Sequence, residues 1–312
     1  MKLSIVTICR NDAAGLARTL ESTFAGQVDV GDWEQIIVDG ASTDGSFAAV
    51  DKWRDNPHLG WAVSEPDKGI YNAMNKGAAH ACGDWLLFLN AGDTLLPGVL
   101  RTALRELRDP GEVVYGDVIR MLGREILPSQ IIDDADLSRE MFLFANIPHQ
   151  AVFVPRRIHE IRGGYDESFL ILADWKFWLG CRVDGIRFRH IPVEVSRFAI
   201  GGRSSDPRYL KLARDEKYRL FEPVFGKAVA ARAAYPIEHR PWIRPAVAAR
   251  ALDDFKLARC LRRSNDILSA LWRFPPSCFL LRGLTIGADA IVRFGKSIQN
   301  TMRFKQQPYS NK

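Results

Sequence analysis

Three aspartates lie far apart in the chain, and each stands where an apolar run gives way to turn residues: Asp39, Asp93 and Asp174. Asp39 closes the run Gln35-Ile36-Ile37-Val38 and is followed by Gly40. A carboxylate at such a strand end can accept hydrogen bonds from a base or ribose, or it can close an Asx turn. Asp93 ends the stretch Phe88-Leu89-Asn90-Ala91-Gly92-Asp93. A hard divalent cation takes oxygen ligands, commonly one or two carboxylates together with the phosphates of a substrate. Asp93 could be that carboxylate, with Asn90 orienting it or bonding the ligand; capping a helix is its other use. Asp174 opens the segment Asp174-Trp175-Lys176-Phe177-Trp178-Leu179. There it either caps a helix or serves as a general base, which must reach a hydroxyl proton directly. His149, between Pro148 and the strand-like run Gln150-Ala151-Val152-Phe153-Val154, either touches a ligand at a strand end or is a turn histidine.

The elements that would position these residues read as alternating strands and helices. Leu3–Cys9 is short, apolar and β-branched, as a buried strand should be. Residues 13–24 carry Leu16, Leu20 and Phe24 at helical spacing, and Gln35–Val38 is a second strand, so the first 39 residues form a βαβ unit. Trp61–Ser64 is a weaker strand. Tyr71–Cys82 is a helix with Ala73, Met74, Gly77 and Ala78 as a small-residue packing face, and Trp85–Leu89 is the next strand. A helix over Pro97–Leu107 and a strand over Val113–Asp117 follow, then a helix over Asp174–Val183 and one or two strands over Phe188–Phe198. The alternation predicts an α/β fold: a mainly parallel, Rossmann-like sheet with helices on both faces. Residues 207–235 read as helical and basic, three prolines interrupt 236–245, and 246–300 return to helical spacing. The expected division is a catalytic domain over 1–205 and a basic helical region over 206–312.

Charge follows the same division. Residues 1–200 hold 21 Lys and Arg against 28 Asp and Glu, a net of −7, whereas 201–312 hold 22 against 9, a net of +13. The basic region suits an anionic surface. Cys9, Cys82, Cys181, Cys260 and Cys278 show no metal-ligand spacing and read as reduced, mostly buried thiols. The first apolar run is too short for a signal peptide, and no apolar span of about 18 residues occurs. Neither a glycine-rich dinucleotide fingerprint nor a G-x-x-x-x-G-K-[ST] loop is present, which disfavours a nicotinamide cofactor and P-loop ATP hydrolysis.

Taken in order, Ser4-Ile5-Val6-Thr7, Val38–Gly45, Ser64–Gly77, Phe88–Asp93, Pro148-His149-Gln150, Gly164–Glu167 with Asp174-Trp175, and Gly201-Gly202 resemble the family 2 glycosyltransferases of GT-A fold. The match covers roughly residues 1–205 and looks most like bacterial enzymes of exopolysaccharide, capsule or lipopolysaccharide biosynthesis. The resemblance implies that Thr7 and Asp39 contact the donor nucleoside, with Asp67 and Lys68 beside it and Asn75 and Lys76 holding that side of the pocket. It implies that Asp93 is the last carboxylate of a metal-binding acidic motif for Mg or Mn, that Asp174 is the base, and that Gly201 and Gly202 close over the diphosphate or acceptor. Many relatives have adjacent acidic residues where this chain has Gly92-Asp93, so one carboxylate remains with Asn90 nearby.

The expected activity is inverting transfer from a nucleoside-diphosphate-sugar, with uridine the family-weighted nucleoside, to a glycan or lipid-linked hydroxyl. The expected place is the cytoplasmic side of the plasma membrane, held peripherally. Within the tail, Ser277–Lys296 is apolar with Arg282, Arg293 and Lys296 at near-helical offsets, and Arg259-Cys260-Leu261-Arg262-Arg263 adds a cationic cluster. An interfacial helix on anionic lipid is one reading and a solvated helical cap is the other. Two rivals have less support. A sugar-nucleotide pyrophosphorylase would want a Gly- and Arg-rich loop where Arg10-Asn11-Asp12-Ala13 stands. A non-enzymatic membrane or nucleic-acid module leaves the three aspartates unexplained, and no nucleic-acid partner is expected.

Overall fold

Leu3–Cys9 forms β1, and all seven of its residues are buried, so both faces of this strand are covered. The computed structural model describes residues 2–27, 31–123, 125–127, 137–200 and 207–235. Chain order continues with α1 (Ala13–Leu20), which runs on into a π-turn at Glu21–Ala25, β2 (Trp33–Asp39), a 3-10 segment at Ser46–Trp53, and β3 (Leu59–Ser64). Next come α2 (Ile70–His80), β4 (Trp85–Phe88), β5 (Thr94–Leu95), α3 (Val99–Glu106), β6 (Glu112–Leu122) and β7 (Glu125–Leu127). The described chain closes with β8 (Val152–Pro155), α4 (Arg156–Ile161), α5 (Ala173–Val183), β9 (Arg187–Ala199), α6 (Leu210–Phe225) and α7 (Lys227–Ala234).

The strands form one sheet in the order β3-β2-β1-β4-β8-β6-β9-β5, with β7 paired to β6. β3, β2, β1 and β4 are parallel, as the βαβ alternation predicts. β8 enters antiparallel between β4 and β6, β6 and β9 are again parallel, and β5 and β7 pair antiparallel. The sheet is therefore parallel in its first half and mixed in its second. The short β5 and the direction of β8 had no periodic signal, because both depend on long-range pairing.

Helices cover both faces. Leu16, Leu20 and Phe24 join Leu3, Ile5, Ile37, Leu87, Val99, Leu100 and Ala103 in one core layer. On the other face α2 packs closely on β1: a Cβ added at Gly77 would lie 2.4 Å from Cγ1 of Val6, so only glycine permits this approach. Ala73, Met74 and Ala78 of the same helix are buried, as expected of its small-residue face. Beyond α2 this face is filled by the rings of Phe88, His159, Tyr165, Phe177, Trp178 and Phe188, whose neighbouring centroids stand 5.0–6.5 Å apart. Each fully buried ring of this kind contributes about 1.5–3 kcal/mol relative to an exposed one.

Residues up to Ile237 make one compact unit, so α6 and α7 share it with the sheet although they follow the expected division at 205. Cys9 and Cys181 are buried free thiols, and burial raises both pKa values, that of Cys181 to about 12; Cys82 is exposed. Gly201, Gly202, Cys260, Cys278 and the basic segments 259–263 and 277–296 lie outside the described residues.

Candidate active site

The carboxyl ends of β1, β2, β3 and β4 share one edge of the sheet, and the amino end of the antiparallel β8 arrives at the same edge. The residues just past β4 and just before β8 therefore meet. Asn90 Nδ2 lies 3.2 Å from His149 Nε2, and His149 Nδ1 lies 3.3 Å from Asp174 Oδ2. Read as a neutral ring, His149 donates from Nδ1 to the carboxylate and accepts at Nε2 from the amide. Beside it, Gln150 donates to Asp93 Oδ2 at 3.1 Å. The dipeptide His149-Gln150 thus joins Asp174 to Asn90 on one side and reaches Asp93 on the other.

Asp174 sits in the first turn of α5, where a carboxylate is favoured by the helix dipole. Four donors surround it: Trp175 N–H (2.8 Å) and Tyr71 O–H (3.1 Å) at Oδ1, Asn146 Nδ2 (3.1 Å) and His149 at Oδ2. Tyr71 has a single phenolic proton, and the Ile171 carbonyl, at 2.6 Å, is its nearer acceptor. Oδ1 is therefore the oxygen less fully claimed. Burial raises the Tyr71 pKa well above 10, so the phenol stays protonated.

Asp93 is buried, and desolvation lifts its pKa to about 6 despite the hydrogen bond from Gln150. A cation beside it would hold it ionised. Asn90 Oδ1 is a buried acceptor with no hydrogen-bond partner. These two oxygen donors suit a hard divalent ion whose remaining ligands come from phosphate and water. Among the described residues no group of three or more His, Cys, Asp or Glu could hold a metal ion by itself. The donor set therefore fits a cation shared with a diphosphate and does not fit a self-sufficient protein cage.

Asp39 ends β2, which lies two strands from β4 in the sheet. It is fully buried and closes its own turn: Ser42 N–H (2.9 Å) and Ser42 Oγ (2.5 Å) donate to it, as does Ser64 Oγ (2.5 Å). The turn thus engages both of its oxygens, twice at Oδ2 and once at Oδ1. The turn leaves Ala41 at φ 54°, a left-handed conformation unusual for alanine. Asp67 lies against this turn; a Cβ added at Gly40 would fall 2.2 Å from its Oδ2, so glycine is what lets the loop approach. Asp67 Oδ1 accepts from Gly69 N–H at 2.8 Å at the start of α2. Lys68 beside it is exposed, with its backbone N–H on Asn72.

Thr7, Asn75 and Lys76 each have partners within the protein. Thr7 is fully buried, and its Oγ1 accepts from Gln35 Nε2 at 2.9 Å, so its side chain faces the α1 side of the sheet. Asn75 is a staple: Oδ1 accepts Tyr165 N–H (2.9 Å), and Nδ2 donates to Tyr165 C=O (2.8 Å) and Glu167 (3.1 Å). Lys76 is held by Glu65 (2.7 Å) and the Pro66 carbonyl (2.8 Å). Both residues thereby brace that wall of the cleft. Tyr71, Asn146 and Gln150 belong to the site and were not singled out from sequence. Gln150 and Tyr71 lie inside stretches that carried the resemblance, while Asn146, three residues before His149, gave no signal.

Residues 4–145 match the family model Glycosyl transferase family 2. A "PGL/p-HBAD biosynthesis glycosyltransferase" of Mycobacterium bovis (strain BCG / Pasteur 1173P2) is 34% identical over 220 residues, 67% of this chain and 82% of that protein. An uncharacterised glycosyltransferase of Mycobacterium tuberculosis (strain CDC 1551 / Oshkosh) is 37% identical over 183 residues, 57% of this chain and 67% of that one. Among solved structures, S. aureus TarS 1-349 in complex with UDP-GlcNAc has a TM-score of 0.57 at 14% identity, covering 90% of this chain and 84% of that one. The mannosyltransferase PcManGT of Pyrobaculum calidifontis, in complex with GDP-Man and Mn2+, has a TM-score of 0.55 at 18% identity, covering 96% and 80%. At these identities the solved structures share the fold alone, and the curated relatives carry the family. With its mixed Rossmann-like sheet and the Asp93–Asp174 edge, the chain is a GT-A glycosyltransferase and belongs to glycosyl transferase family 2.

Proposed function

We propose that this glycosyltransferase moves a sugar, with inversion, from a nucleoside-diphosphate-sugar to a hydroxyl of a glycan or lipid-linked acceptor in surface polysaccharide biosynthesis. The observation that carries this reading is the hydrogen-bonded run Asn90–His149–Asp174, with Asp93 beside it, at the carboxyl edge of the parallel strands. An acid–base group and two cation-suited oxygens are joined there through His149-Gln150, an arrangement that suits attack on a sugar carrying a diphosphate. Asp174 takes the acceptor hydroxyl's proton on Oδ1 as that oxygen bonds to the anomeric carbon. The bond from that carbon to the diphosphate breaks on the opposite face, and its electron pair leaves with the diphosphate. Tyr71, Asn146 and His149 fix the carboxylate's orientation.

Asp93 and Asn90 would hold Mg or Mn, which when bound supplies positive charge to the leaving diphosphate. Asp67, Lys68 and the Asp39 turn form the nucleoside side, with Asp39 Oδ1, which accepts one hydrogen bond from Ser42, as the oxygen for the base. UDP-sugars are the favoured donors and GDP-sugars the next, since fold neighbours are known with UDP-GlcNAc and with GDP-Man. A surface-polysaccharide role rests on the sequence resemblance, and glycolipid assembly of the kind named for the mycobacterial relative is its nearest variant. Among the described residues no helix is long and apolar enough to cross a membrane. Contact with anionic lipid would come from the basic residues after 206, placing the enzyme peripherally at the cytoplasmic face.

Release of nucleoside diphosphate from a panel of UDP- and GDP-sugars, with and without Mn2+, tests the reading. One donor class should give Mn2+-stimulated release. Absence of release with every donor, together with no thermal shift by UDP or GDP, would overturn it.

A further inference from the structure

The residues leading into Asp174 are held from outside the sheet. Glu216, in the second turn of α6, is buried, with 1% of its surface exposed. Its carboxylate accepts three consecutive backbone N–H groups: Leu170 at 2.6 Å on Oε1, and Ile171 at 3.1 Å and Leu172 at 3.0 Å on Oε2. Those three amides end the loop that enters α5, and Leu172 is the cap residue of that helix. The same loop supplies the Ile171 carbonyl, which accepts from Tyr71, and Tyr71 in turn lies 3.1 Å from Asp174 Oδ1. α6 also meets the residue after Asp174. Lys217 Nζ stands 5.0 Å from the centre of the Trp175 ring, and Phe221 meets that ring edge-on at 6.0 Å.

A buried carboxylate is costly unless it is well bonded. Here its three hydrogen bonds go to the backbone immediately ahead of the proposed base. Glu216 lies beyond residues 4–145, which match the family model. We infer that Glu216 is a positioning residue: its carboxylate fixes the Leu170–Leu172 backbone and thereby sets where Asp174 Oδ1 stands for the acceptor hydroxyl. The inference rests on Asp174 being the base, because the loop has no other group for Glu216 to aim.

The test compares Glu216→Gln, Leu220→Ala and Asp174→Asn in the full chain, on the sugar donor that the wild-type protein turns over. Leu220 is buried on the same helix and makes none of these hydrogen bonds, so its truncation loosens α6 without releasing the loop. Gln keeps the size of Glu and can retain one oxygen toward Ile171 and Leu172, but it presents an N–H₂ group to the Leu170 amide. Misplacing a reacting group by about 1 Å can cost about 100-fold in rate. Glu216→Gln should therefore lower kcat about 10- to 100-fold and displace the acidic limb of the kcat–pH profile. UDP affinity and donor KM should stay within about twofold, since the interaction lost acts only on the reacting centre. Leu220→Ala should lower Tm at least as much while keeping most of its kcat. A Glu216→Gln enzyme with near-normal kcat, or with a loss no greater than that of Leu220→Ala, overturns the inference. If Asp174→Asn itself retains turnover, it is the base assignment that fails, and the two failures are told apart by that variant alone.

Discussion

Asp174 is ringed by Tyr71, Asn146, His149 and the Trp175 amide, and this crowding governs what a substitution there does. Asparagine fits the space, keeps an acceptor oxygen for part of the ring of donors, and cannot take a proton. Asp174→Asn should lower turnover by about 10²–10⁴-fold, the usual worth of a general base, while UDP binding measured by calorimetry survives. Near-normal turnover in this variant would remove the base assignment. Asp93 is shifted in the opposite direction to an ion-paired carboxylate such as Asp166. Burial raises it to about 6, so below that pH the metal-free group is protonated, and its stabilising contribution is lost as pH rises through about 6. Cation binding must displace that proton. Mn2+ affinity, read by titration in the presence of UDP, should therefore fall about tenfold per pH unit below 6. Asp93→Asn should abolish the pH dependence along with most of the affinity.

At the scale of elements, the wall between α2 and α5 depends on polar and aromatic contacts that a sequence pattern cannot assign to partners. Asn75 bonds both the N–H and the C=O of Tyr165, 90 residues away. Asn75→Ala leaves those groups unpaired and should cost about 1–3 kcal/mol, visible as a lower denaturant midpoint. His159 of α4 is packed among Phe88, Tyr165 and Phe177, and burial alone lowers its pKa to about 4. Its neutral form is the folded form. Stability from this group is present above pH 6.5 and is lost as pH falls from 6.5 through 4, by roughly 3 kcal/mol. His159→Phe should flatten the fall in melting temperature over that window; an unchanged acid limb would assign the loss to other groups. The helical spacing of residues 13–24 and the small-residue face of α2 were legible in sequence because each is a local repeat. The approach of β8 to β4 was not, since antiparallel entry is decided by a pairing across more than 60 residues.

For the whole molecule, the two helices after residue 205 count with the sheet. Phe221 is fully buried and Leu220 nearly so, and Glu216 ties α6 to the loop before α5. A chain cut after residue 237 should unfold cooperatively and bind UDP, because the unit Met1–Ile237 stays whole. A chain cut after residue 205 exposes the Trp175 ring and leaves the Leu170–Leu172 amides without their carboxylate; it should aggregate or melt well below the longer form. Equal melting curves for the two truncations would make α6 dispensable to the fold. The net charge of +13 over residues 201–312 sets a third comparison. The full chain should float with anionic liposomes, and the form ending at 237 should lose most of that association, with high salt weakening what is left.

The sequence by itself determined the alternation of strands and helices, the carboxylates at the ends of apolar runs, and the family they resemble, because each of these is written in local order and spacing. Asp93, Asn90, His149 and Asp174 could be named from that order. Only the tertiary structure decided that Asp93 and Asp174 share one edge through His149-Gln150 while Asp39 closes its own turn. It also decided that Thr7 faces inward, that Asn75 and Lys76 act as staples, and that a glutamate from α6 holds the loop before the base. The physical reason is that strand pairing and the direction of a side chain at a strand end depend on partners tens of residues away. A hydrogen-bonding group is committed to the nearest such partner, and no pattern in the chain records which one that will be.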